Sequence, residues 1–330
     1  MRYCAILAAI LWASVVAAQD WEDRQMFGTG EATLRILSST DTSFFAPIIT
    51  DFIAANSQVS VEYLVTGTAD IDGLFREDPS AYDVVISSAM DLQLKLANDG
   101  FAAPLVEITH PDWAEWHDSL FAFTTEPAAI VINRAALGDL PVPGTRQDLI
   151  ELMRAYPDTF EGRVGTYDVR QSGLGYLFAT QDARASETYW RLIEVMGRMG
   201  ARLYCCSGAM IDDLIAGDLV VAYNVLGSYA QARSETEDAL RVILPSEFPT
   251  TMMRTVLVSR DASNLASAEA FVRHVLTLQA AGDPVRFPLP PLAGGDGSVI
   301  GLNPALMTYL DQMKRETFIS EWEDAILQDD

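Results

Sequence analysis

Three times within the first hundred residues a strand-like pattern runs into a short polar loop and then into a helical pattern, and this order restricts the fold more than any other feature. The strands are ATLRIL at 32–37, VSVEYLV at 59–65 and the apolar run at 82–86; the loops are SSTDTS, TGTAD and SSAMD. Phe44, Phe45, Ile48, Ile49, Phe52 and Ile53 recur at helical spacing, which predicts a helix over 42–55. Further helices are expected around 70–75 and over 90–97, the latter stopped by Asn98-Asp99-Gly100. Such alternation calls for a parallel sheet with crossover helices. A second series follows Gly162: strand RVGTYD, helices over 173–179 and 185–197, strand 201–205, helix 209–216 and strand 219–225. Between the two series lies FAFTTEPAAIVIN (121–133), extended and interrupted by Pro127, then a Gly/Pro-rich linker at 138–145 and a helix over 146–156. Strands at 241–244 and 252–258 read as returning toward the first unit. Helices over 266–279, 305–314 and 316–326 follow, with a Pro/Gly-rich loop at 284–301.

The N-terminal run has one cation, Arg2, then an apolar stretch from Ala5 to Val16, with small residues ahead of Gln19. It is too short to span a bilayer, and it reads as a secretory signal peptide cleaved after Ala18. The expected organisation is therefore a signal at 1–18, a first lobe from 19–125 plus 240–300, a second lobe from 126–239, and C-terminal helices at 301–330 packing on the lobes. The chain carries 22 Lys+Arg against 46 Asp+Glu, a net charge of −24, and Lys95 and Lys314 are its only lysines. A surface of that sign repels phosphate backbones and anionic lipid, so nucleic acid and membrane surfaces are not expected partners. Of three cysteines, Cys4 leaves with the signal, and the adjacent pair Cys205-Cys206 remains. Two buried thiols, a vicinal disulfide and a two-sulfur metal site are the readings open to that pair. A vicinal bond closes across Cα atoms only about 3.8 Å apart, below the usual disulfide range.

Three first-lobe strands end in loops rich in small hydroxyl residues, and TYDVRQSG, YCCSGAM and AYNVLGSY repeat the feature in the second series. In open parallel sheets ligands bind at these carboxyl edges, where helix N-termini present free N–H groups. Together with the export signal, the segments ILSSTDTSFFAPIITDF, YDVVISSAMDLQLKLANDGF, FTTEPAAIVINR and MMRTVLVSRDASNLASAEAFVRHVL make the chain resemble the periplasmic solute-binding proteins of ABC importers. The resemblance covers nearly all of the mature chain and is closest to the branch of ferric-iron binders, hexose-phosphate binders and phosphoglycerate-regulatory proteins. It implies an α/β fold of two lobes joined by hinge crossover strands, closing on a ligand in an interlobe cleft. Ferric-iron members carry two adjacent tyrosines where this chain has Tyr223 followed by Asn224, with Tyr229 further on. One phenolate there is a poor match for a hard trivalent cation.

The phosphate- and carboxylate-binding relatives use hydroxyls and backbone N–H groups. Ser39, Thr40, Thr42, Gly67, Thr68, Ser87 and Ser88 match that chemistry in the first lobe. From the second lobe Arg170 is expected to clamp an anion through two parallel bonds, alongside Tyr167, Asp168, Ser172, Cys205, Cys206, Ser207, Tyr223 and Asn224. Asp41, also counted in the site, and Asp70, Asp91 and Asp168 stand near the same rim and would favour a cationic amine if turned inward. A small anionic solute is the leading expectation, with ferric iron, an amine and, lowest, hydrolytic turnover as alternatives.

No phosphate-loop or nucleophile-elbow motif occurs, and GTGEAT at 28–33 precedes the first strand and lacks a third glycine. His110, Asp112, Glu115 and His117 have zinc-like chemistry but read as a solvated loop, Trp113 and Trp116 as surface packing, and His274 as a residue on a helix. No cofactor, resident metal or enzymatic activity is expected. The expected partners are a small-molecule ligand and a membrane permease of an ABC importer or a sensor kinase, with the chain itself a monomer in the periplasm.

Overall fold

The computed structural model describes residues 21–294 and 299–328; the expected signal peptide lies outside them. In chain order the first lobe opens with β1 (Asp23–Phe27), β2 (Ala32–Ser38), α1 (Thr42–Ala55), β3 (Val59–Val65), α2 (Asp70–Glu77), β4 (Val84–Ser87), α3 (Met90–Asn98), β5 (Glu115–Trp116) and β6 (Leu120–Ala122). Strand β7 (Glu126–Asn133) crosses to the second lobe, which continues with α4 (Arg134–Leu137), α5 (Arg146–Ala155), α6 (Pro157–Phe160), β8 (Val164–Tyr167), α7 (Gly173–Ala185) and α8 (Thr188–Arg198). Next come β9 (Arg202–Tyr204), α9 (Ser207–Ala216), β10 (Val221–Leu226), α10 (Gly227–Ser234) and β11 (Leu240–Ile243). The chain returns through β12 (Thr251–Met252) to β13 (Thr255–Val258) and α11 (Leu265–Ala281), and it ends with α12 (Gln312–Ile326).

The first sheet runs β1-β3-β2-β4-β13-β6-β5 and the second β11-β7-β10-β8-β9, with β12 paired to β7. Among the named strands, parallel pairing joins β2 with β3 and β4, and β8 with β9 and β10. The returning strand β13 inserts antiparallel between β4 and β6, which completes the first sheet from a distant part of the chain. Every residue of β3 is buried, as expected for a strand covered on both faces. Phe45, Ile49 and Phe52 of α1 pack with Phe271 and Val275 of α11 against Leu34, Ile36 and Val61. In the second lobe Leu149, Leu192 and Trp322, from α5, α8 and α12, close over β8 and β10. A third apolar cluster crosses between the lobes and includes Leu94, Leu174, Leu257 and Leu306.

Four details differ from the sequence reading. Residues 23–27, to which no element is assigned from sequence, form β1, an edge strand whose middle residues are all exposed, so no burial alternation marks it. Strand 241–244 was expected to return to the first lobe, but β11 pairs antiparallel with β7 in the second sheet. A four-residue strand pattern specifies extended backbone and not its neighbour. At the C-terminus, 304–310 forms a 3₁₀ turn, and α12 is one continuous helix capped by Asp311, which accepts a bond from the Lys314 N–H. The His110 ring also departs from a solvated loop: its Nε2 lies 2.7 Å from the Ala122 carbonyl, and burial lowers its pKa.

Candidate functional site

The carboxyl ends of β2, β3 and β4 face those of β8, β9 and β10 across a cavity of about 100 Å³. Ser39, Asp41, Gly67, Thr68 and Ser88 line it from the first lobe, and Tyr167, Ser172, Cys205, Cys206 and Ser207 from the second. Direct bonds already join the lobes at its edge. The Asp41 N–H donates to Tyr229 Oη at 3.2 Å, and the Leu174 N–H donates to Thr68 Oγ1 at 3.1 Å. Phe44 packs against Tyr229 with ring centroids 4.8 Å apart. At Gly173 a Cβ would stand 2.9 Å from the Thr68 carbonyl oxygen, so the absence of a side chain is what permits this approach.

Helix starts give the cavity its electrostatic character. The N-caps of α1, α2, α3, α9 and α10 are Asp41, Ala69, Ala89, Cys206 and Leu226, and none makes a side-chain cap bond. Asp41, Cys206 and Leu226 line the cavity themselves, as do Thr68 and Ser88, the residues just before the other two caps. Elsewhere α4, α5, α11 and α12 are capped by Asn133, Thr145, Asn264 and Asp311. The exceptions are α7, capped by Ser172 at the cavity wall, and the remote α6 and α8, which are uncapped. An uncapped helix start has unsatisfied N–H groups and about half a positive charge. Five such starts lie at or beside the cavity, from both lobes, and Asp70, Asp72 and Asp91 in the first turns of α2 and α3 offset part of that charge.

No lysine or arginine is among the described residues lining the cavity, and its ionisable carboxylates are Glu22 and Asp41, both exposed at the mouth. Desolvation raises the Glu22 pKa, and the charges of Asp41 and Asp70 add to the rise. Ser207 holds the second-lobe wall: its hydroxyl lies 2.5 Å from Tyr167 Oη and accepts from the Leu226 N–H at 3.0 Å. Cys205 and Cys206 form a disulfide, the second of the three readings open to that pair.

Seven expected site residues stand elsewhere. Arg170 does not reach the cavity: its Nη2 donates to Asp168 at 2.7 Å and its Nη1 to Glu323 of α12 at 3.0 Å, and its guanidinium lies over Trp322. Desolvation pushes Asp168 up, but its bonds with Arg170 outweigh this and hold the carboxyl below its ordinary value. Tyr223 turns inward, donating to Asp182 at 2.6 Å and accepting from Arg146 Nε at 2.7 Å. Asn224 donates to the same carboxylate at 2.9 Å from a left-handed backbone, φ 63°, at an irregularity in β10. The one phenol weighed for the ferric-iron alternative therefore belongs to a buried network. Thr40 accepts from the Arg254 guanidinium, Thr42 donates to Asp23 at 2.6 Å, and Ser87 accepts from the Ala89 N–H at 3.1 Å. Thr40 and Thr42 have partners that their local sequence does not announce, whereas Ser87 closes a local turn. Glu22, Leu174, Gly208 and Leu226 line the cavity without having been singled out. Gly208 and Leu226 sit inside loops the sequence did single out, whereas nothing local marks Glu22.

No protein-family model matches the sequence, and no curated protein does either. Solved structures do. A substrate-binding protein of an ABC transporter from Agrobacterium tumefaciens is 29% identical over 93% of this chain and 98% of that one, with a TM-score of 0.85. AfuA from Actinobacillus pleuropneumoniae, a periplasmic binding protein solved with fructose-6-phosphate bound, is 15% identical over 90% of this chain and 99% of its own, with a TM-score of 0.70. Iron-bound HitA from Pseudomonas aeruginosa is 14% identical over 89% and 99%, with a TM-score of 0.64. The solved structures this chain resembles are periplasmic binding proteins of ABC transporters, and they include the branch to which the sequence pointed. The chain has their two-lobed α/β fold.

Proposed function

We propose that this chain is an exported, periplasmic solute-binding protein that encloses a small anionic solute between its lobes and presents it to the membrane permease of an ABC importer. Five uncapped helix starts, contributed by both lobes to one cavity, carry the reading. An anion placed among them receives backbone N–H bonds and the positive ends of several helix dipoles, and no side-chain cation is needed. The hydroxyls of Ser39, Thr68 and Ser88 supply further donors. Glu22 and Asp41 oppose an anion, but they lie at the solvent-exposed mouth, where screening weakens them most. The enclosed volume of about 100 Å³ is below the roughly 150 Å³ that holds a benzene ring. It suits a phosphate or carboxylate group on a small skeleton. A solute touching both lobes binds the closed form better than the open one and so selects it. With binding as its task, the protein returns its ligand unchanged.

A calorimetric titration of the mature chain with inorganic phosphate, malonate, fructose 6-phosphate, ferric citrate and putrescine tests this. Heat from one or more of the iron-free anions alone, with the compound recovered intact, is the expected result. Binding confined to putrescine would transfer the site to the Glu22–Asp41 mouth, and binding confined to ferric citrate would make it an iron site. Either outcome overturns the anion reading.

A further inference from the structure

The disulfide in the cleft wall has a chemistry that ligand capture does not require. Cys205 is exposed and Cys206 partly so, and both line the cavity, within reach of small solutes. Cys206 is also the N-cap residue of α9, the position at which a side-chain acceptor takes the first-turn N–H groups. As half of a disulfide its sulfur makes no such bond. As a thiolate it would be an anionic acceptor at a helix start, the setting that lowers a cysteine pKa.

We propose that Cys205–Cys206 is a thiol-exchange site that switches the cleft off for anions, its substrates being small thiols. The thiolate of such a molecule attacks Sγ of Cys205, the exposed sulfur. A new S–S bond forms there as the Cys205–Cys206 bond breaks, and its electron pair leaves on Cys206 as a thiolate held at the start of α9. Exchange is faster the better the leaving thiolate is stabilised, which directs attack to Cys205. A second thiol then attacks the mixed disulfide, releasing the oxidised small disulfide and leaving Cys205 reduced. Two thiols lose two electrons and two protons in all, and the protein gains them. The consequence for binding, which rests on the anion reading above, follows from the cap. The Cys206 thiolate occupies the N–H groups of α9 and adds a negative charge beside the solute. The mixed disulfide on Cys205 fills part of a small cavity. Both weaken anion capture.

Two measurements separate this proposal from the reading beneath it. Oxidised protein is exposed to 2-mercaptoethanol, quenched with iodoacetamide and mapped by peptide mass spectrometry. The expected products are the mercaptoethanol adduct on Cys205 with the alkyl group on Cys206 and, after the second attack, protein alkylated on both; the reverse adduct, an even mixture of adducts or an intact Cys205–Cys206 disulfide overturns the exchange assignment whether or not any anion binds. Inorganic phosphate is then titrated into oxidised and dithiothreitol-reduced protein, with at least a tenfold weaker Kd expected after reduction. The pair Cys205→Ala/Cys206→Ser, which can still cap α9, should bind phosphate more weakly than Cys205→Ala/Cys206→Ala, which cannot, and neither should respond to reductant. Equal affinity in the two redox states of the native protein overturns the switch. If phosphate and the other anions bind neither state, the anion reading fails, and the mapping still decides the exchange site.

Discussion

The cleft and the polar clusters behind it handle charge in opposite ways. The cleft wall is made of hydroxyls and helix starts, with no lysine or arginine among its described residues. Behind it Arg254 and Glu126 pair at 3.0 Å with both side chains fully buried, and Arg146 meets Asp182 at 3.0 Å in nearly complete burial. Glu126 takes bonds from Thr124 and from Ser228 of the second lobe, while Arg254 donates to Thr40 of the first, so this pair ties both lobes to the crossover strands. Ordinary cations are neutralised where the chain crosses between lobes, and partial backbone charges are left open where a solute can enter. A formal charge in the cleft would need a counter-ion whenever the site is empty. A dipole does not.

Removing one partner from behind the cleft tests this contrast most severely. Arg254→Ala strands a buried carboxylate and should cost about 3–5 kcal/mol, read as a lower urea midpoint. A loss below about 1 kcal/mol would mean that the crossover does not depend on the pair. Asp91 is the exception to the rule behind the cleft, because it has no cation of its own. It is fully buried in α3 with an unpartnered Oδ1, and desolvation raises its pKa to about 7, against the lowering by the Leu92 and Asp91 backbone N–H groups and by Arg315, while Asp72 adds to the rise. The folded protein therefore holds a proton that the unfolded chain releases near pH 4. Its contribution falls as pH rises from about 4 to 7 and levels off above that. Thermal melting of Asp91→Asn against the native chain across that window should remove this slope, and parallel curves would refute it.

Within the cleft, Gly173→Ala places a Cβ against the Thr68 carbonyl and should hold the lobes apart. At least a tenfold loss of solute affinity and a larger radius of gyration by small-angle scattering are expected, and unchanged values of both would show that the lobes close without that approach. The smallest effect belongs to Arg170→Ala. With its guanidinium committed to Asp168 and Glu323, solute affinity should change less than twofold. A tenfold affinity loss would restore the clamp that the sequence suggested.

Arg170 also shows where sequence reasoning stops. Its residue type and strand-end position suit an anion clamp, but a partner two residues away and another on α12 turn it outward. Tyr223 and Asn224 follow the same pattern: their loop is named correctly, and Asp182, some forty residues earlier, draws both side chains inward. Residues whose role needs only a strand end and a helix start, such as Ser39, Thr68, Ser88 and Ser207, were legible because local hydrophobic periodicity places them there. Glu22 was not, because it precedes an exposed edge strand that has no periodicity to betray it.

What the sequence determines alone is therefore the βα order, the two lobes and the small-residue loops that face each other, since these follow from patterns a few residues long. Whether Cys205 and Cys206 are bonded, which helix starts are left without caps, which sheet β11 joins and which charges are neutralised behind the cleft were decided only by the tertiary structure. Each depends on a partner far along the chain or on a side chain choosing among several acceptors, and that choice is made when burial removes water as the alternative.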